Sequence, residues 1–292
     1  SKKFKIMLEE TYFLYSFLKM NLDNNKDDLK KLLSEIKDKN NLLLNFASNR
    51  IASKLGQNEL AIKILENRKL EKDHYPFLYL DYLLAINKQN KMDNSCIEHF
   101  ENFIYNFKGK NYMKSALMRM SWHSHINDNN EKYEYYKNMI NSFDGKQVDA
   151  DKEAQSYYNN SKAPHINLLK ARLFFDGGYS KLALEELQKI KSPTLLNDSK
   201  NNLEYYYRLG RCMEQMENYE LAIKHYNKTI KSGSKEHYYF AAKSALQIAL
   251  IYEKNKKYKE AEIYFNICID MKNHQYEQSL EQKAKAGLNR LN

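Results

Sequence analysis

Three stretches in the C-terminal half of the chain line up at a fixed spacing of 39 residues. Ala171, Gly210 and Ala249 form one column, Ala183, Ala222 and Ala261 a second, and Leu187, Tyr226 and Phe265 a third. Self-similarity at a period of roughly 20 to 50 residues marks stacked supersecondary units, none of which can bury its apolar face alone. This feature confines the chain to a few architectures and points toward recognition, not catalysis.

Within each unit the apolar residues keep helical spacing, twice over. In YYYRLGRCMEQMENYELAIKHYNKTI they fall at Tyr206, Leu209, Met213 and Met216, then at Leu221, Ala222, Ile223, Tyr226 and Ile230, the period of two amphipathic helices. Gly210 and Ala222 lack bulk, so two antiparallel helices can approach there while Tyr226 fills the space beside them. The next unit repeats the scheme with Ala249, Tyr252, Ala261, Phe265 and Cys268, and the previous one with Ala171, Phe174, Ala183, Leu187 and Ile190. The turn of that earlier unit carries Gly177 and Gly178, which suit the left-handed backbone of a tight helix-to-helix connection.

Leu209, Gly210, Ala222 and Tyr226 resemble the consensus of the tetratricopeptide repeat, with Met213 in place of its first aromatic and no closing proline. The period exceeds the usual length of about 34 residues, which suggests longer first helices. The ending, YFNICIDMKNHQYEQSLEQKAKAGLNRL, is similar to the C-terminal repeats of large bacterial proteins of this family. That resemblance implies an all-α, right-handed solenoid of antiparallel helix pairs with a C-terminal capping helix. It also implies a bacterial setting, with periplasm or cell envelope ahead of cytoplasm. Because relatives carry longer N-terminal regions and the sequence opens on Ser1, a processed form or part of a longer parent is expected.

Upstream of residue 160 the repeat weakens, yet helices still alternate. Residues 4–20 pair with 27–36, and 42–54 with 59–70, where Ala61 and Leu65 stand as Ala183 and Leu187 do. Pro76 suits the first turn of the helix in YPFLYLDYLLAIN, where a missing N–H costs nothing, and Cys96, Phe100 and Ile104 mark its partner. A fourth pair covers 111–126 and 131–140. The expected organisation is one continuous solenoid: degenerate repeats over 1–142, an irregular loop with a short helix over 143–163, three 39-residue repeats over 164–271, and a cap over 275–292. A second, shorter connector is expected over 195–200.

Composition supports the helical reading. Eight Gly and three Pro in 292 residues leave too few breakers for an all-β or doubly wound fold, and 24 Tyr with 13 Phe supply bulk for an elongated core. The net charge of +10 raises nucleic-acid binding as an alternative, but acidic residues are interspersed throughout and a solvated helical surface accounts for the excess. A peptide-sensing regulator without its DNA-binding unit is a further alternative, since the first 60 residues contain no helix-turn-helix. Cys96, Cys212 and Cys268 have neither disulfide nor metal spacing, and Cys96 and Cys268 fall at buried apolar positions.

Catalytic and cofactor motifs are missing. His123 and His125 stand two apart, on different helix faces, and so do not share a metal. Glu9–Glu10 and Glu185–Glu186 diverge on their helices, and KSGSKE lacks the spacing of a phosphate loop. The reading is therefore a non-enzymatic scaffold, with no catalytic, cofactor or metal site, that takes a protein or peptide in the groove formed by the first helices. Nucleic acid is disfavoured as a partner, and the oligomeric state is not set by the sequence. Arg172 and Arg211 follow directly on the small residues, Arg50 stands in similar register, and Leu250 interrupts the series. Tyr207 and Leu168 lie one turn before Arg211 and Arg172, and Lys243 holds a groove position on the next unit. These arginines either fork onto a carboxylate or backbone carbonyl of a ligand or reach acids of neighbouring repeats. The set Tyr207, Arg211, Lys243 and Gln247 does not reproduce the Lys and Asn clamp with which chaperone-binding relatives hold a terminal carboxylate.

Overall fold

With so few breakers, helix runs through nearly all of the chain. The computed structural model describes residues 2–23, 25–69, 77–145, 148–160, 162–191 and 198–291. Among these it contains sixteen α-helices packed as sequential antiparallel pairs, and no strand. α1 (Lys2–Leu18) and α2 (Lys26–Ile36) come first. Six hairpins follow: α3 (Leu42–Lys54) with α4 (Asn58–Glu66), α5 (Tyr79–Gln89) with α6 (Cys96–Asn106), α7 (Met113–Ile126) with α8 (Asn130–Met139), α10 (Ile166–Asp176) with α11 (Ser180–Gln188), α12 (Ser199–Gln215) with α13 (Tyr219–Gly233), and α14 (Phe240–Lys254) with α15 (Tyr258–Asp270). α9 (Asp149–Asn159) lies between the third and fourth, and α16 (Glu277–Leu291) closes the series. Pro76 and residues 195–197 of the shorter connector lie outside the described residues; α12 begins just after them.

The helices divide into two compact units, one of Ser1–Ile166 with Leu173–Tyr179 and the other of Asn167–Arg172 with Ser180–Asn292.

One turn geometry recurs in all six hairpins. Gly56, Met92, Asp128, Gly178, Glu217 and Lys256 each take positive φ, and the following N–H reaches back to a carbonyl five positions earlier, as in Gln57 to Ala52, Asn129 to Ser124 and Lys257 to Tyr252. This bond satisfies a carbonyl at the end of the first helix. Left-handed backbone costs a residue with a side chain about 1–2 kcal/mol, so at Met92, Glu217 and Lys256 helix packing imposes the turn against local preference.

These turn residues give the register of the upstream hairpins. The first three stand 36 residues apart and the last three 39 apart. Seven residues before each lies Asn49, Ala85, Ser121, Ala171, Gly210 or Ala249, all buried. The small-residue column therefore extends through every hairpin. In the second helices Ala61, Ala183, Ala222 and Ala261, with Leu65, Leu187, Tyr226 and Phe265, are all 0% exposed; Cys96 and Phe100 take these roles in α6, also at 0%. α8 departs, placing Tyr133 and Tyr136 on its buried side. In the last two hairpins both helices are longer: α12 and α14 run 17 and 15 residues, and α13 and α15 run 15 and 13, against 13 and 9 in α3 and α4, whereas α10 and α11 run only 11 and 9.

Within the α12–α13 hairpin the helices come so near at Gly210 that a Cβ there would lie 2.5 Å from the Tyr226 ring. Gly287 on α16 lies against Phe265 in the same way, at 2.3 Å, so the last helix uses the same contact to cover the end of the second unit.

In the first unit the turn at Gly178 also meets a hairpin far away in sequence. Tyr179 donates its hydroxyl hydrogen to Glu59 at 2.7 Å and accepts from Asn58 Nδ2 at 3.1 Å, while Gly178 lies against the carbonyl of Gly56. A strictly one-dimensional stack has contacts only between neighbouring repeats; this contact, across 120 residues, goes beyond that.

α9, in the interval expected as a loop with a short helix, supplies a cap to α7. Asp151 is 0% exposed and its carboxylate accepts from the backbone N–H groups of Tyr112 at 2.6 Å and Ser115 at 2.9 Å. Burial holds its carboxyl above the ordinary range, although those two N–H groups and the charge of Lys114 act in the opposite direction. Asp151→Ala is expected to lower stability by about 2 kcal/mol, the scale of hydrogen bonds to a buried charge. Urea unfolding measures the loss, and hydrogen exchange at the Ser115 amide localises it.

Candidate functional site

The turn register places Arg50, Arg172 and Arg211 at one structural position, six residues before the left-handed residue of their hairpins. Ile86, Trp122 and Leu250 fill that position in the others. The strongest grouping is in the second unit, where α12, α14 and α16 pack side by side as a layer of first helices.

Tyr207, Arg211 and Glu214 follow one another along α12 at spacings of four and three, so they share a face. Arg211 donates from Nη1 to the Tyr207 hydroxyl at 3.0 Å, and its Nε lies 3.7 Å from Glu214 Oε2. Glu214 in turn accepts from the Tyr226 hydroxyl at 2.5 Å and, more weakly, from Gln247 Nε2 at 3.4 Å. An acid facing Arg211 is thus on its own helix, one turn on. Burial works against the Arg211 charge, but Tyr207, Tyr226 and Glu214 together raise its pKa above the ordinary value. Burial and the Glu214 charge push the Tyr226 phenol well upward, so it stays protonated and donates.

Lys243, one turn before Gln247 on α14, is half-buried, and its side-chain amine makes no hydrogen bond or ion pair among the described residues. Burial, then the charges of Arg211 and Lys283, lower its pKa to about 8, with Glu214 opposing them. The cluster carries Arg211, Lys243 and Lys283 against Glu214, a surplus of positive charge on a partly desolvated face. Chemically it suits an anion: a fork from Arg211 and a compact ammonium from Lys243.

A second group lies one to two turns earlier on α12. Glu204 accepts from Arg208 Nε at 2.7 Å, with a second bond from Nη2. Burial would raise the Glu204 carboxyl, but Arg208, Arg172 and Lys200 bring it below its ordinary value. Arg172 is half-buried and belongs to this group through its charge on Glu204 and Tyr239.

Of the residues expected at the ligand face, Tyr207, Arg211 and Lys243 come together in this cluster. Leu168 does not offer a ligand surface: at 1% exposed it is a core residue, because its position on α10 faces the packed side. Arg50 is in the first unit and is exposed. Glu214, Lys283 and Glu204 were missed. The available signal for Glu214 was its place three residues after Arg211 and twelve before Tyr226.

The other chemistry-bearing residues are occupied in packing. His123 Nδ1 lies 3.5 Å from Cys96 Sγ, whereas His125 Nε2 lies 2.9 Å from the Pro164 carbonyl. Glu186 is 7% exposed and accepts from Asn167 and Lys189, while Glu185 points to solvent. All three cysteines are free and buried, and burial pushes Cys96 and Cys212 up to about 12 and Cys268 to about 11. Among the described residues no trio of His, Cys, Asp or Glu could hold a metal ion, and no helix is long and apolar enough to cross a membrane. Neither a protein-family model nor a curated protein matches the chain.

The electrostatics of Lys243 carry a definite sign. Its folded pKa of about 8 lies below the reference value of 10.5, so its contribution to stability improves as pH rises through that window, where only the unfolded chain still holds the proton. NMR of 13C-methylated lysines is expected to show one amine titrating near pH 8. Arg211→Met should move it upward by removing a neighbouring positive charge; an unchanged midpoint would separate the two groups.

Proposed function

We propose that this chain is a non-enzymatic interaction protein built of tetratricopeptide-like hairpins, with the right-handed stacking of that family. A peptide or protein partner binds on the face formed by its first helices. In the second unit a carboxylate of the partner sits between Arg211 and Lys243. In keeping with the resemblance to large bacterial repeat proteins, the proposed setting is a cell-envelope assembly.

The single observation that carries this reading is the half-buried, unpaired amine of Lys243 beside an Arg211 whose guanidinium is already fixed by Tyr207 and Glu214. A preorganised donor loses little freedom on binding, and an ammonium with lowered pKa gains most from an arriving anion. Repetition of one hairpin with a layered face of first helices supports the same conclusion, since such surfaces serve extended ligands. The interspersed acidic residues around the cluster, among them Glu204 and Glu214, favour a peptide carboxylate over the continuous phosphates of nucleic acid.

Selection of a displayed random peptide library on the wild-type protein tests this. Enriched peptides should share an acidic side chain or depend on a free C-terminus. Arg211→Glu combined with Lys243→Glu should weaken them by about tenfold or more, the scale of lost charge-assisted hydrogen bonds, with the helical circular dichroism spectrum retained. Equal affinity for both proteins would refute the site.

A further inference from the structure

The first unit carries a first-helix face of different chemistry. Five half-buried rings form a row: Phe13 on α1, Phe46 on α3, Phe77 and Tyr79 at the start of α5, and Tyr112 at the N-cap of α7. Ring centroids lie 6.0 Å apart from Phe13 to Phe46, 5.8 Å from Phe46 to Phe77, 6.0 Å from Phe46 to Tyr79, and 4.6 Å from Tyr79 to Tyr112. Beneath the last two lies Tyr82, 3% exposed and stacked on Tyr79 at 5.5 Å, so the row rests on the core while its rings stay partly exposed.

Two observations bear on how this row is held and what it can meet. Tyr112 holds φ at 69°, a conformation that a bulky residue rarely adopts, and the buried Asp151 carboxylate fixes it there through the Tyr112 N–H. Backbone strain of this kind is retained where the surrounding structure enforces a side chain's placement, here the ring against Tyr79. The second is charge. Arg50, one turn after Phe46 on α3, is exposed and makes no hydrogen bond or ion pair among the described residues. Lys54, a further turn on, donates to the Met20 carbonyl, and Lys39 lies over the Tyr12 ring at 4.0 Å.

We propose that this aromatic row binds an extended, proline-containing peptide segment with an acidic residue placed to meet Arg50. The inference rests on the first-helix-face reading above and names the ligand chemistry of the first unit. Polyproline II segments dock on aromatic-lined grooves because their conformation is preformed and their rings lie flat on aromatic faces. At about 3.1 Å per residue, some five residues span the row. Stacked nucleotide bases also use aromatic platforms, but they need a cationic track for successive phosphates. With Lys39 and Lys54 engaged elsewhere, Arg50 meets one anion, which fits a carboxylate.

The test uses the full chain and two fluorescent peptides, Glu-(Pro)6 and neutral (Pro)6, with an oligo-dT strand as competitor. Wild type should bind both peptides saturably below about 1 mM, the acidic one more tightly. Arg50→Glu, at an exposed position, should weaken only the acidic peptide, by about tenfold. Tyr79→Leu, which keeps apolar bulk, should weaken both by a similar factor, with circular dichroism confirming the fold. No saturable binding of either peptide, affinities unmoved by both substitutions, or preferential binding of oligo-dT would overturn the proposal. The Arg211→Glu, Lys243→Glu protein separates the two readings. If it loses library-selected peptides while the polyproline probes never bind, only the aromatic row is refuted; if library-selected peptides also bind it normally, both are.

Discussion

The α12–α13 hairpin depends on a bulky side chain of the second helix lying on a small residue of the first. Tyr226 lies on Gly210 with no room for a Cβ, and Phe265 lies on Gly287 of the closing helix in the same way. Elsewhere the small position is Ala85, Ser121, Ala171 or Ala249, always buried. Close approach lets an aliphatic or aromatic side chain be wholly removed from water, worth about 1.5–3 kcal/mol each, and lets both helices contribute backbone to the contact. Even the exception follows the rule: Asn49 is the largest residue in the column, and its Nδ2 donates to the Ala61 carbonyl across the hairpin at 3.0 Å, so its bulk becomes a link.

This constraint also positions the chemistry. Because the small residue faces the second helix, its successor in sequence is rotated toward the layer of first helices. Arg50, Arg172 and Arg211 occupy that successor position. Tyr226 joins the two roles, since its ring lies on Gly210 while its hydroxyl holds Glu214 opposite Arg211. Packing and the polar cluster are therefore coupled through one side chain. In the first unit the corresponding face is built of rings, so the two units present different surfaces on the same scaffold.

The helical class, the hairpins and the arginine column were legible in the sequence because they depend on local periodicity and on Gly and Ala repeating in register. The 36-residue spacing of the upstream hairpins was not. Its turn residues Gly56, Met92 and Asp128 are chemically unlike, and its small column reads Asn49, Ala85 and Ser121, so only their shared backbone conformation reveals it. Leu168 was misplaced because spacing along a helix fixes which residues share a face but not which neighbour covers it. Glu214 and Asp151 were invisible for a related reason: their roles depend on partners brought in by tertiary packing, Tyr226 for one and the start of α7 for the other.

A double-mutant cycle between Gly210 and Tyr226 tests the central contact most directly. With Tyr226 present, Gly210→Ala should cost about 1 kcal/mol or more in urea unfolding, because the ring leaves no space and overpacking outweighs the better helix propensity of Ala. In a Tyr226→Ala background the same change should stabilise by about 1 kcal/mol. If Gly210→Ala has the same effect in both backgrounds within about 0.5 kcal/mol, the two residues are independent and the account of how these hairpins close is wrong.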